Sequence, residues 1–479
     1  MSKRRVTSPY RLLFPALVAG LTIAVGAQAA TPVTEMSNTV EKLCPALKQA
    51  ATANPASLST AENDVLVRCG ELKRAPGQSF LGLSASQLNG LSNMTSEESS
   101  VMGASSTAVS GAQNIAILGR LSVLRGKSGT TAALRPQQQT PQGVGIPSEV
   151  FAQQSTAGEG SDFAPMTVQG FGGGFSQMVD YGRWGAYLNS SFSFGNKDET
   201  AREPAFDFEA LSMVAGLDHR ITDTFILGLA LGYARIDSEL DRGGDLEKDG
   251  FGASLYGTWY MDKLYVDFLA GIAAGQYDML RNVGYSVPAK TGGTTVVNQA
   301  FAADSDSTDV TLALGGGYAM SFGGFGLTPF VQASYLYSDI EGYTETLRDN
   351  NTAPGFGLAL AVEDQEVESL ATTVGVNLTR TFNASWGVLS PYLRFDWEHE
   401  YLNDSREIVA RFAAVDQAFA SLNRIVIPTD DPDRDFFNLG VGLSVVLPGG
   451  LQGFLDYSTL LGYDDLELHR FVVGLRWEF

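Results

Sequence analysis

Residues 466–479 read LELHRFVVGLRWEF. Phe471, Val473, Leu475, Trp477 and Phe479 fall on one side of a two-residue period, and Arg470, Val472, Gly474, Arg476 and Glu478 on the other. Alternation at 180° per residue marks a strand with two unlike faces. Moving back along the chain, the same pattern returns. Leu393, Phe395 and Trp397 oppose Arg394, Asp396 and Glu398, and Val441, Leu443, Val445 and Leu447 oppose Gly440, Gly442, Ser444 and Val446. Phe225, Leu227, Leu229, Leu231 and Tyr233 alternate with Ile226, Gly228, Ala230 and Gly232.

About twelve such segments run from Gly182 to the end, near 183–194, 205–220, 223–237, 249–261, 264–278, 308–322, 325–339, 366–382, 386–401, 434–447, 450–461 and 466–479. Each has the roughly 9–11 residues that a tilted strand needs to cross a bilayer. Short turns at Thr222–Thr224, Asp262–Lys263, Gly323–Gly324, Asn383–Ser385 and Pro448–Gly449 alternate with long polar loops at 238–250, 279–307, 340–365 and 402–433. A soluble sandwich would turn its apolar face inward and has no reason to alternate its connections so regularly. The expected fold is therefore an all-β transmembrane barrel of about twelve antiparallel strands, preceded by a small α-helical region. An even strand number puts both barrel ends on the short-turn side. Trp184, Tyr233, Trp259, Tyr260, Tyr335, Tyr337, Trp386, Trp397 and Trp477 are candidates for the interfacial aromatic girdles.

Composition agrees. With 53 glycines, 10% aromatic residues and a mean hydropathy of −0.00, the chain looks soluble on average. An alternating barrel hides in that average, because apolar outward and polar inward residues cancel. No segment beyond the N-terminus is long and apolar enough for a transmembrane helix.

The N-terminus has a different logic. Lys3, Arg4, Arg5 and Arg11 flank an apolar run at 12–26 that ends in Ala27-Gln28-Ala29. This is the pattern of a secretory signal peptide over residues 1–29, in preference to a membrane anchor, for which the run is short. Its removal takes four positive charges from a formal net charge of −21, leaving the mature chain near −25. Such acidity disfavours nucleic acid or anionic lipid as partner.

Residues 30–125 read as a small helical region. Met36, Val40, Leu43 and Leu47 recur at helical intervals, with Pro45 expected to kink or restart the helix. Ser59-Thr60-Ala61-Glu62 offers a cap for a second helix that carries Val65, Leu66 and Cys69 and stops at Gly70. Cys44 and Cys69 are the only cysteines, and an even pair in an exported chain suggests a disulfide. Two free thiols or a metal pair are the alternatives, although no His lies near to complete a zinc site. A third helical stretch ends with Ile115, Leu118, Leu121 and Leu124. Residues 126–181 form a connector rich in Gly, Pro and Gln.

From Gly182 to Phe479 the chain resembles the autotransporter β-domain, the translocator of type V secretion. The resemblance rests on LGLALGYARIDSEL (227–240), FGASLYGTWY (251–260), KLYVDFLAGI (263–272), TPFVQASYLYSDIEGYTE (328–345), SWGVLSPYLRFDWEHE (385–400), DRDFFNLGVGLSVVLPGG (433–450) and FVVGLRWEF (471–479). It implies twelve strands, outer-membrane insertion among lipid and lipopolysaccharide, and export through the Sec translocon. It also implies that Phe471, Val473, Leu475, Trp477 and Phe479 form the signal read by the barrel-assembly machinery. AQNIAILGRLSVLRG at 112–126 looks like the helix that precedes many such domains. Familiar passengers are long β-helices with repeats, and residues 30–170 show none.

On this reading the lumen, wide enough for about one helix, is lined by small residues such as Gly228, Ala230, Gly232, Gly252, Gly315, Gly440 and Gly442 and by Arg183, Asp267, Arg394, Asp396, Glu398, Asp456 and Arg476. Residues 105–125 would thread it, with Gln113, Asn114, Arg120 and Arg125 as pore-helix contacts, and carry the preceding segment to the surface. One chain supplies a whole barrel, so a monomer is expected. Rival readings are an adhesive or structural surface barrel, whose acidic loops such as 237–249 would hold divalent cations, and a weak diffusion channel, with the N-terminal domain left in the periplasm. Enzymatic activity is not expected. No G-x-S-x-G elbow precedes the barrel, and His219, His399 and His469 are the only histidines. No cofactor is expected.

Overall fold

Among the described residues, helices α1 (Pro32–Ala53) and α2 (Thr60–Leu72) precede twelve long strands. The strands are β1 (Trp184–Lys197), β2 (Phe206–Thr222), β3 (Phe225–Leu240), β4 (Gly244–Met261), β5 (Leu264–Pro288), β6 (Thr294–Tyr318), β7 (Phe325–Ile340), β8 (Gln365–Arg380), β9 (Gly387–Glu400), β10 (Asp435–Val446), β11 (Leu451–Leu461) and β12 (Leu466–Glu478). The computed structural model describes residues 32–72, 84, 87, 90–91, 95, 100–102, 154–155, 169–170 and 183–479, apart from 242, 289–292, 323 and 350. The signal segment 1–29, the pore-helix stretch 105–125 with Gln113, Asn114, Arg120 and Arg125, and most of the 126–181 connector lie outside the described residues.

Every long strand pairs antiparallel with its sequence neighbours, and β12 returns to pair with β1 from Leu466↔Lys197 to Glu478↔Gly185. The ring is closed, so none of the twelve strands is left as an open edge in the apolar zone. Outward residues are apolar and exposed: Leu231 is 69% and Phe251 66% accessible, and all five alternate residues from Phe471 to Phe479 are bare. A belt of that extent has no counterpart in a water-soluble monomer. It requires lipid as its solvent. Inward residues are buried.

The structure corrects the boundaries at one end. Stretches 238–250 and 279–307, expected as loops, are largely strand: β5 and β6 each run for 25 residues, and β3 turns into β4 within a few residues. There the polarity inverts: Leu240, Leu246, Met279, Val283, Tyr285 and Val287 are buried on the inward face, while the outward face turns polar because above the belt it meets water. The other long connections also carry structure. Tyr343–Thr344, Leu360–Val362, Glu407–Phe412 and Ile425–Pro428 form a four-stranded sheet over the long-loop end. At the opposite end the turns are tight. Asp262, at φ 59°, makes the two-residue turn between β4 and β5, a left-handed position that Asp tolerates. Tyr260 is not a girdle residue. It lies between the outward Trp259 and Met261, faces the lumen and is 4% exposed.

Candidate functional site: a capped and polar-lined lumen

The inner wall is built from side chains that cross between strands. Aromatic rings sit directly opposite glycines on the adjoining strand, among them Tyr187 on Gly216, Tyr256 on Gly228, Tyr265 on Gly317, Phe330 on Gly375, Tyr392 on Gly442 and Phe454 on Gly474. A Cβ at any of these glycines would collide with the ring facing it. Glycines such as Gly228 and Gly442 therefore do not widen the pore. They are seats for tyrosines whose hydroxyls reach the lumen carboxylates. Tyr392 donates to Asp456 at 2.6 Å and Tyr256 to Asp218 at 3.3 Å.

Ion pairs line the same interior. Arg394 meets Asp396 at 2.6 Å, and Asn438 donates to Asp396 at 3.0 Å and Glu398 at 3.4 Å. Arg476 donates to Gln452 at 2.8 Å and pairs with Glu478. Arg470 donates to Ser193 at 3.0 Å. Asp267, Arg394, Asp396, Glu398, Asp456 and Arg476 are all buried and inward. Arg183 is not: it stands exposed just before β1, where only its carbonyl takes part, accepting from the Arg220 amide at 2.9 Å. The wall has not begun there to enclose its side chain. Nearer the long-loop end, Lys248 pairs with Asp309 at 3.3 Å, Ser338 donates to the same carboxylate at 2.6 Å, and the ammonium lies over the Tyr277 ring. The Tyr277 hydroxyl in turn donates to the Met102 carbonyl at 2.6 Å, so residue 102 is inside the barrel wall.

The helical region sits on the long-loop end. Cys44 and Cys69 are joined, with Cα atoms 5.9 Å apart, tying α1 to α2. Pro45 does not interrupt α1, and Ser59 and Glu62 exchange hydrogen bonds of 3.1 and 2.7 Å in a capping box. The other oxygen of Glu62 accepts the Asp416 amide at 2.9 Å. Asp64 accepts the Gly355 amide at 3.0 Å and the Gly357 amide at 3.0 Å. Thr39 donates to the Arg424 carbonyl at 2.6 Å. Nothing in the sequence pairs Asp64 with Gly355, because the contact spans 291 residues.

Around the outside of this end runs an acidic row. Asp237, Glu247, Asp278 and Asp304 lie directly opposite one another on β3 to β6. Arg235 bridges Asp237 at 3.1 Å and also pairs with Glu247. Among the described residues, no group of three or more His, Cys, Asp or Glu is disposed to hold a metal ion. Burial raises the Glu247 carboxyl against the opposing pull of Arg235, with the neighbouring acids adding to the rise; burial and the hydrogen bond with Asp304 raise Asp278. A folded-state pKa above the unfolded one means that the folded row binds protons more tightly. Its repulsion then falls as pH drops through that window. Hydrogen exchange of residues 276–280, corrected for intrinsic rates, is expected to be slower at pH 5 than at pH 7. In Asp278→Asn the difference should shrink sharply; an undiminished difference contradicts it.

His399 faces outward and meets Asp435 at 2.8 Å, and His469 meets the Tyr457 hydroxyl at 3.0 Å.

A family profile described as Autotransporter beta-domain matches residues 185–458. Among solved structures, the fold is similar to the translocator domain of the autotransporter NalP from Neisseria meningitidis, at 13% identity and a TM-score of 0.47, covering 62% of this chain and 89% of that one. The β-domain of the Bordetella autotransporter BrkA gives 17% identity, a TM-score of 0.40 and coverage of 62% and 100%. The transport unit of AIDA-I from Escherichia coli gives 13%, 0.39, 64% and 93%. Comparison with curated proteins returns no match.

Proposed function

The chain belongs to the autotransporter β-domain family, and from that premise we propose that its barrel carries its own N-terminal segment across the outer membrane and keeps it on the cell surface. A closed twelve-stranded barrel of this family is an outer-membrane protein. Export through the Sec translocon and insertion by the barrel-assembly machinery, guided by the strand that ends at Phe479, are the parts of this reading that concern partners.

One observation supports it above the others. The helices sit at the long-loop end, whereas the barrel wall starts at Trp184, beside Phe479 and the short turns. The chain that leaves Met102, inside the wall, has to reach Arg183 at the far end. A path through the lumen accounts for both positions. On this reading the long-loop end faces outward, residues 1–29 are removed as a signal peptide, and the chain works by geometry and not by catalysis.

Lys48, exposed on α1, and Lys263, exposed in the β4–β5 turn, can each be replaced by cysteine. A membrane-impermeant maleimide added to intact cells is expected to label Lys48→Cys and to spare Lys263→Cys until the outer membrane is permeabilised. Labelling of Lys263→Cys alone on intact cells overturns the reading.

A further inference from the structure

We infer that residues 32–72 are the missing core of the barrel's outer loops, a resident organising domain and not a detachable cargo. This rests on the display reading only for the side of the membrane on which the domain lies. The four-stranded loop sheet is too small to bury a core of its own. Its strands are two to six residues long, and short pieces of sheet need a packed face to persist in water. That face is supplied by the helices. Ile408, Phe412 and Ile425 of the sheet pack in one buried cluster with Met36, Val40 and Leu43 of α1. If the helices left, the apolar side of the sheet would meet solvent.

Polar contacts make the fit specific. Asp64 and Glu62 lie on the first turns of α2, and each reads the backbone of a different outer loop. Asp64 takes the amides of Gly355 and Gly357, and Glu62 takes that of Asp416. Asp64 is itself only 8% exposed. Gly355 has φ +98°, and the space beside Gly357 is occupied by the Ala61 carbonyl. The loop at 353–358 is thus shaped around α2 at a distance that admits no side chain. A cargo merely tethered to a barrel needs neither feature.

The consequence is cooperativity: helices and loops should open together. Hydrogen exchange by mass spectrometry on the full mature chain in detergent micelles tests this. In the unaltered chain, peptides covering 36–47, 353–360 and 408–427 are expected to be protected to the same level. In Asp64→Ala and in Gly357→Val, all three should exchange faster together, by about tenfold or more, while peptides from β1 and β12 do not change. Asp64→Asn, which keeps one acceptor oxygen, should fall between. Rapid exchange of 36–47 in the unaltered chain, loops that keep their protection when the helices lose it, or no change in either variant would each overturn the inference. The micelle experiment is blind to membrane sidedness, so its failure is separate from failure of the labelling test.

Discussion

Lys197→Met is expected to loosen three outer connections at once while leaving the barrel closed. Lys197 ends β1 and is 3% exposed. Its ammonium lies 3.0 Å from Glu203, 2.8 Å from Asp430 and 2.9 Å from Asp465. These carboxylates come from the β1–β2 connection, the β9–β10 loop and the approach to β12. Thr200 donates to Asp430 at 2.6 Å, and the Asp430 amide donates to Glu203 at 2.7 Å. Removing one partner of a buried charge network leaves like charges gathered without a counterion, which costs about 3–5 kcal/mol when burial is complete. Asp430 and Asp465 retain side-chain exposures of 18% and 23%, so solvent relieves part of this, and about 3 kcal/mol is the expected size. Limited proteolysis should cut near residues 198–205 and 429–433 in Lys197→Met far faster than in the parent. Lys197→Arg should stay resistant, and Asp430→Asn added to Lys197→Met should recover part of the loss. Equal cleavage of Lys197→Met and the parent would show that the cluster holds nothing down.

Gly442→Val is expected to prevent the barrel from closing normally. Gly442 faces Tyr392 across the β9–β10 ladder, and the ring lies over it. Two added methyls and a Cβ must push that ring into a packed interior. Overpacking of this kind costs about 1–3 kcal/mol and occasionally more. Moving the ring also breaks the Tyr392–Asp456 hydrogen bond, and leaving a buried acceptor without its donor costs about a further 1–3 kcal/mol. The unheated protein should run mainly at its unfolded position on a gel. Tyr392→Ala in the same chain restores space but not the hydrogen bond, so rescue should be partial. Tyr392→Phe alone isolates the hydrogen bond and should be milder than Gly442→Val. Parent-like behaviour of Gly442→Val would remove the ring-on-glycine pairing as a structural requirement.

Much of the barrel was legible in the sequence. The alternation at Phe471–Phe479 marks outward and inward faces correctly, as it does at Phe225–Tyr233 and Val441–Leu447, since the pleat has period two whatever surrounds it. Alternation failed as a guide at 238–250 and 279–307. There the strands continue beyond lipid, the outward face turns polar while the inward face carries buried apolar side chains such as Leu246, Val283 and Tyr285, and an apolar outward face no longer marks the strand. Parity placed Arg394, Asp396 and Asp456 inward, but it could not say that Arg183 precedes the wall or that Tyr260 turns away from the girdle. A capping box was visible at Ser59–Glu62 because its two members are three residues apart.

From its order of residues alone, then, this chain determines a ring of twelve two-faced strands and a helical segment with two cysteines, since each follows from the spacing of neighbours along the backbone. Only the tertiary structure decides that Gly442 seats Tyr392, that Lys197 gathers three distant carboxylates, and that Asp64 grips Gly355 and Gly357. Those contacts depend on strand register and loop path, which bring residues tens to hundreds of positions apart within hydrogen-bonding range, and no local periodicity encodes them.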